Sequence, residues 1–154
     1  MELFYAQNIL LEDDILTFSP EESRHLIKVL RKKFGDLIRV TDGKGLEWIG
    51  EIIDINTKKV IGKKSQFILH KNNITPLHIA IAPTKNNDRF EWFLEKATEI
   101  GVSEITPIIC NHSERKAIKP NRLNKILING IKQSGHFFLP ILNPIISFEA
   151  FIKK

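Results

Sequence analysis

Residues 77–110 read LHIAIAPTKNNDRFEWFLEKATEIGVSEITPIIC, and their rhythm decides the architecture. LHIAIA (77–82) is a short, nearly continuous apolar run, the pattern of a parallel strand buried on both faces. PTKNND follows as a polar loop. The spacing then predicts a helix over 88–100, with Phe90, Phe93, Leu94, Ala97 and Ile100 near one face and Gly101 ending it. EITPIIC (104–110) reads as the next strand, with a bulge or early end expected at Pro107, which has no N–H to give a ladder. Downstream, 121–134 predicts a second helix with Leu123, Ile126, Leu127 and Ile131 inward and Gly135 as its cap, and ILNPII (141–146) predicts a third strand. The order β-α-β-α-β is that of an open α/β sheet. About three strands is short for such a sheet, and SFEAFIKK (147–154) reads as the start of a further element.

Upstream the rhythm is different. Ser19, Pro20 and Glu22 mark a helix N-terminus, followed by Leu26, Val29 and Leu30 as an inward stripe and Gly35 as the predicted C-cap. DLIRVTDG (36–43), LEWIGEIIDI (46–55) and KKVIGKKSQFIL (58–69) read as strands, the last two joined at Asn56-Thr57. Many strands and one helix in this length suggest a small barrel or curled sheet. The polar KNNITP stretch (71–76) is the natural boundary, giving domains 1–72 and 73–154 and a mixed α/β chain.

Composition excludes several classes. At 42% apolar and 27% charged residues, the chain is ordinary globular protein. The single cysteine excludes an internal disulfide framework, and the five histidines show no metal spacing, so no metal site is predicted. No apolar run approaches the ~18 residues that span a bilayer. The N-terminus turns acidic early and lacks a basic n-region, which leaves a cytoplasmic setting as the expectation. The net charge of +5 is uneven: residues 113–136 hold six basic residues and one acid, and residues 56–71 hold five lysines and no acid. Such patches suit a phosphate backbone, although charge alone favours a solvated face.

Chemistry gathers in two loops. Lys85 and Arg89 lie in or beside PTKNND at the carboxyl end of the first α/β strand, where open sheets bind ligands. Ser113, Glu114, Arg115 and Lys116 follow the second strand and reach the same edge if the strands are parallel. Asp88 serves either as a helix cap or as a site acid. Ser113 lacks a nucleophile-elbow context, and Cys110 reads as a small core residue. In the first half, Arg24, Lys28, Arg31 and Lys32 form the outward side of a basic amphipathic helix, with His25 beside its apolar stripe.

Taken together, RHLIKVLR (24–31), Gly35-Asp36, Asp42-Gly43, EKATEIGV (95–102), SER (113–115), NRLNKIL (121–127) and KQSG (132–135) resemble the RsmE family of bacterial 16S rRNA uridine-N3 methyltransferases, over nearly the whole chain. The resemblance implies a PUA-like RNA-binding β-barrel followed by the first part of a SPOUT-type open α/β sheet. It implies S-adenosylmethionine as cofactor, 16S rRNA of the small ribosomal subunit as partner, and a homodimer. It casts Arg24, His25, Arg31, Lys32, Lys33, Lys85 and Lys116 as RNA-binding, and Arg89, Glu95 and Arg115 as catalytic candidates. The base that takes the uridine N3 proton stays open among Asp88, Glu95 and Glu114. His136 stands where the family usually has arginine. The family's glycine-rich GPEGG-like loop and LG-x-x-ILR-like segment do not occur, so the cofactor-binding residues are unassigned. The chain is expected to correspond to a member cut before its C-terminal knot, with a non-catalytic RNA-binding remnant as the alternative. An unrelated small α/β protein that binds a nucleotide or anion at the Lys85 and Arg115 loops is a further alternative.

Overall fold

The computed structural model describes residues 2–56, 59–72 and 75–153. The chain divides into two compact units, Met1–Lys71 and Asn72–Lys154. The turn read at Asn56-Thr57 and part of the KNNITP connection lie outside the described residues.

The first unit holds strands β1 (Leu3–Tyr5), β2 (Ile15–Thr17), β3 (Leu37–Thr41), β4 (Leu46–Asn56) and β5 (Lys59–Leu69), in the order β1-β3-β4-β5-β2. β1 runs parallel to β3, and the other pairs are antiparallel. Register shifts between Ile49 and Gly50 and between Ile52 and Asp54 interrupt the long β4–β5 ladder. Such bulges bend and twist a strand pair, so the sheet curls. Its edges meet through side chains: Phe4 of β1 stands edge-on to Phe18, just after β2, at 5.9 Å. Alternate residues Ile38, Val40, Trp48, Ile52 and Val60 fill the inside. This is the small curled sheet that the strand-rich reading suggests, and it has the form of the PUA-like barrel that the resemblance implies.

The helix that plugs the barrel differs from the expectation. Ser19 caps it as read, its hydroxyl accepting from Glu22 N at 3.2 Å. α1 then covers only Pro20–Arg24, and the chain continues as a π-helical turn over His25–Val29, with Leu30 N donating to His25 O. The wider turn rotates the stripe. Leu26 is fully buried and Ile27 and Leu30 pack beside it, whereas Val29 is 64% exposed. The segment ends on Arg31 in the left-handed region (φ 54°), with Lys32 N reaching back to Leu26 O. Gly35 is therefore not the helix cap. It shapes the later turn that begins β3, and its N–H donates to Ile52 O.

The second unit contains β6 (His78–Ile81), α2 (Asn87–Glu99), β7 (Glu104–Ile109), α3 (Pro120–Ser134), β8 (Ile141–Leu142), β9 (Ile146–Ser147) and α4 (Phe148–Ile152). β7 is central and pairs in parallel with β6 on one side and with β8 and β9 on the other. Phe90, Leu94 and Ala97 of α2 pack with Leu123 and Leu127 of α3 and with Ile105 of β7. Ile100, expected on the inward face, is the C-cap residue and is 73% exposed, because the helical register ends before it.

Pro107 neither bulges nor ends β7. Ile105 O accepts from Asn143 N, so Pro107, two residues on, directs its backbone toward the same neighbour. There the ladder is interrupted, since β8 stops at Leu142 and β9 starts at Ile146. The missing N–H thus costs no ladder bond. For the same reason the expected third strand is two short pieces. Asn143 bridges the break through its side chain, donating to Glu104 Oε1 (2.6 Å) and Thr106 Oγ1 (2.8 Å).

One buried carboxylate ties the first unit together. Glu47 is 3% exposed, accepts from Arg39 Nε and lies 2.6 Å from His70 Nε2. Desolvation pushes its carboxyl up, but the hydrogen bonds and charges of Arg39 and His70 outweigh this and hold it below the usual range. A depressed folded-state value means that stability is fully present above the ordinary carboxylate value and is lost as pH falls through the folded one. Glu47→Gln is therefore expected to cost about 2 kcal/mol at neutral pH. The gap to wild type should close as pH drops below 4.5. Urea melts across pH check this.

Candidate active site at the carboxyl edge of the second sheet

The parallel strands β6 and β7 deliver their following loops to one edge, which is the geometry that makes an α/β sheet a binding platform. The first loop is stiffened locally. Thr84 Oγ1 donates to Asn86 O at 2.7 Å, and Asn86 caps α2 by accepting from Asp88 N at 2.8 Å. Asp88 is thus in the first turn and not the cap, and Arg89 follows it, exposed. The second loop folds back on itself through Ser113, whose hydroxyl accepts from Cys110 N and whose N–H donates to Cys110 O. Cys110 is exposed at this loop and is not a core residue, because β7 ends one residue earlier.

Arg115 latches the two loops. Its Nε donates to Thr84 O at 3.1 Å and its Nη2 to Lys85 O at 2.6 Å. Lys85 and Glu114 form an exposed ion pair at 3.2 Å. Lys85, Glu114, Arg115, Lys116 and Ala117 line an open concavity of about 410 Å³. Three cations and one carboxylate make it a place for an anion or a polarised carbonyl. Next to it, Arg122 at the start of α3 pairs with Glu91 of α2 at 2.7 Å. First through that hydrogen bond and then through its charge, Glu91 makes the guanidinium hold its proton more tightly.

The sheet edge therefore brings together Lys85, Glu114, Arg115 and Lys116, with Arg89 on the adjoining first turn of α2. It does not bring Glu95, which lies about 12 Å along α2 from the helix start and is engaged by Lys96 at 2.9 Å. The carbonyls of Thr84 and Lys85 and the Glu91–Arg122 bridge were not read from the sequence, because neither spacing nor residue type signals which carbonyl a guanidinium will find. The remaining RNA-binding candidates sit on the first unit. Arg24, Arg31 and Lys33 are exposed. Lys32 Nζ donates to Leu37 O at 3.1 Å. His25 lies 3.8 Å from Glu2 and edge-on to Phe4. Among the described residues no His, Cys, Asp or Glu cluster could hold a metal, and no helix is long and apolar enough to cross a membrane.

Residues 70–154 match the RNA methyltransferase domain family, and residues 18–65 match the RNA methyltransferase PUA domain family. Ribosomal RNA small subunit methyltransferase E of Buchnera aphidicola subsp. Acyrthosiphon pisum is 32% identical over 144 residues, covering 86% of this chain and 56% of that protein. The enzyme of the same name from Rickettsia conorii is 25% identical, covering 97% and 62%. The chain thus spans about three fifths of the relatives it matches. Among solved structures, a probable rRNA-methyltransferase from Porphyromonas gingivalis superposes with a TM-score of 0.88 at 37% identity, over 99% of this chain and 63% of that one. A ribosomal RNA small subunit methyltransferase E from Neisseria gonorrhoeae, bound to S-adenosyl methionine, superposes with a TM-score of 0.88 at 26% identity, over 100% and 65%. With a barrel matching the PUA domain, an α/β unit matching the methyltransferase domain and relatives of one name both in sequence and in structure, the chain belongs to the RNA methyltransferase family that contains the ribosomal RNA small subunit methyltransferases E.

Proposed function

We propose that the whole protein methylates N3 of a uridine in 16S rRNA of the small ribosomal subunit, with S-adenosylmethionine as methyl donor, acting in the cytoplasm as a homodimer. This chain supplies the RNA-recognising barrel (1–72) and the first part of the catalytic α/β domain (73–154). The observation that carries the reading is the Arg115 latch, which holds two loops together at the ligand-binding edge of a methyltransferase-family sheet and turns cations toward one concavity.

This concavity does not by itself fit S-adenosylmethionine. The concavity offers three cations to a cofactor that is itself a sulfonium cation, and its lining has no aromatic or long apolar side chain to receive an adenine ring. When bound elsewhere in the whole protein, the cofactor supplies an electrophilic methyl. What this chain contributes concerns the other reactant. Uridine N3–H must lose its proton, and the resulting charge spreads over the flanking carbonyl oxygens. Lys85 and Arg89 are placed to stabilise that charge, and Arg115 to hold the loop that carries Lys85. Glu114, within reach of Lys85, and Asp88, in the first turn of α2, are the carboxylates near enough to this edge to take the proton. On the barrel, Arg24, His25, Arg31, Lys32 and Lys33 meet backbone phosphates.

The test is methyl transfer by the whole protein to small subunits that lack the modification, followed by nuclease digestion and mass analysis for N3-methyluridine. Arg115→Ala is expected to lower kcat/KM about 100-fold, the scale for misplacing a catalytic group by about 1 Å. Its melting temperature should stay close to wild type, because the latch is a loop contact. Absence of N3-methyluridine with wild-type protein would sink the reading.

A further inference from the structure

The charge of α3 is one-sided. Residues 115–148 contain six Lys and Arg and not one Asp or Glu, whereas the chain's overall 18 acids in 154 residues would place about four there. α2, in the same unit, shows the ordinary alternative. It carries Asp88, Glu91, Glu95 and Glu99 among its cations, and Lys96 closes on both Glu95 and Glu99. Mixed signs of this kind are what make a solvated helix face self-supporting.

α3 turns Leu123, Leu127, Gly130 and Ile131 inward and leaves Asn121, Lys125, Asn129 and Gln133 exposed. Lys116 and Lys119, just before the helix, are exposed as well, and among the described residues neither they nor Lys125 has a carboxylate partner within ion-pair distance. The helix start adds an independent sign. Lys119 occupies the N-cap and makes no side-chain cap bond, no acid stands in the first turn, and the carboxylate of Glu91 on α2 answers Arg122 but not Lys119. Cations at the positive end of a helix dipole are unfavourable, and an anion docked there reverses the sign. Lys116 belongs to the concavity already described, so the basic edge is continuous with it.

We propose that Lys116, Lys119 and the outward face of α3 as far as Lys125 bind consecutive phosphodiesters of the rRNA strand that carries the reacting nucleotide. This rests on the reading that the whole protein acts on rRNA, and it gives the α/β unit an RNA track of its own besides the barrel. The lysines neutralise phosphates, while Asn121 donates N–H groups to phosphate or ribose oxygens.

The test is binding of this chain to a single-stranded 16S rRNA fragment across a salt series, by fluorescence anisotropy. The variants are Lys119→Gln/Lys125→Gln and a charge-matched control, Lys44→Gln/Lys153→Gln, whose lysines are exposed elsewhere. The expected result is a salt slope shallower by about 1.4 for the α3 variant, two contacts at about 0.7 each on a single strand. Affinity at low salt should fall about tenfold, and the control should match wild type. Circular dichroism melts check that the exposed glutamines leave the fold intact. If the α3 variant keeps the wild-type slope and affinity, the face is plain solvated surface, while the methyltransferase reading stands. If both variants lose the same slope, the attraction is diffuse charge and the track is wrong. If wild type binds RNA without salt dependence, the track and its RNA premise fall together, while the methyl-transfer assay still judges the activity by itself.

Discussion

Gly50→Ala is expected to destabilise the barrel unit by about 3 kcal/mol, the upper end of overpacking costs. For a unit of this size that lowers its melting temperature by roughly 15 °C. The reason is local. Trp48 is 1% exposed and donates from Nε1 to Asp13 O at 3.1 Å, so its indole is anchored at both ends. The ring lies along the inner face of β4, over the next inward position, which is Gly50. A Cβ there would stand 2.1 Å from Trp48 Cη2 and 2.5 Å from the backbone oxygen of Lys63. The first neighbour has no room to rotate, and the second is main chain of the paired strand. Gly62 offers the comparison. Its added Cβ would meet only side-chain atoms, Ile38 Cδ1 and Trp48 Cη2, both at 2.9 Å. Gly62→Ala should therefore cost less, about 2 kcal/mol. Trp48→Leu should suppress much of the Gly50→Ala cost, a coupling measurable in a double-mutant cycle by urea titration. Equal costs at the two glycines, or no coupling with Trp48, would show that the indole does not set the barrel's width.

The same few residues show what a sequence can and cannot carry. LEWIGEIIDI reads as a strand because alternation is a property of neighbours along the chain, and Leu46, Trp48 and Ile52 do face inward. That Gly50 belongs to the indole's footprint depends on how the ring lies, which alternation does not encode. The helix after Ser19 was legible at its start, where cap and chain are adjacent. Its π turn was not, because one shifted hydrogen bond moves Val29 outward without any change in composition. Pro107 looked like a break, since a proline's cost depends on whether a partner is opposite it, and that partner's own break at Pro144 lies 37 residues away. The candidate site was legible as a meeting of two loops, because parallel strands joined by a helix send their loops to one edge. Lys85, Glu114, Arg115 and Lys116 could be gathered on that rule. The latch itself was not, for a guanidinium holding backbone carbonyls leaves no residue-type signature on the partner side.

Gly130→Leu is expected to cost about 3 kcal/mol and to disturb the site from a distance. At Gly130 the α3 backbone lies against α2: an added Cβ would lie 2.9 Å from both Cβ and Cγ2 of Thr98, and 3.5 Å from Glu95 O. Thr98 cannot yield, being 1% exposed and tied through Oγ1 to Leu94 O at 2.7 Å. Leucine adds three further carbons to that contact, so the helices must separate. α2 starts directly after the Lys85 loop, and α3 starts directly after the Arg115–Lys119 loop. Moving the helices apart therefore strains the Glu91–Arg122 bridge and the Arg115 contacts to Thr84 and Lys85. Gly135→Ala separates this effect from a general intolerance of glycine substitution in α3. Gly135 has φ of 74° with nothing within 4 Å of the added Cβ, so alanine there meets only the left-handed backbone penalty. That penalty is about 1 kcal/mol and leaves the helix crossing in place. Denaturant titration should rank Gly130→Leu well below Gly135→Ala in stability. In the whole protein, Gly130→Leu should also lose methyl transfer at temperatures where it is still folded, because a misplacement of about 1 Å at a site costs on the order of 100-fold in rate. A Gly130→Leu protein as stable as wild type would mean that the two helices do not meet at Thr98, and that the latch is not held by their crossing.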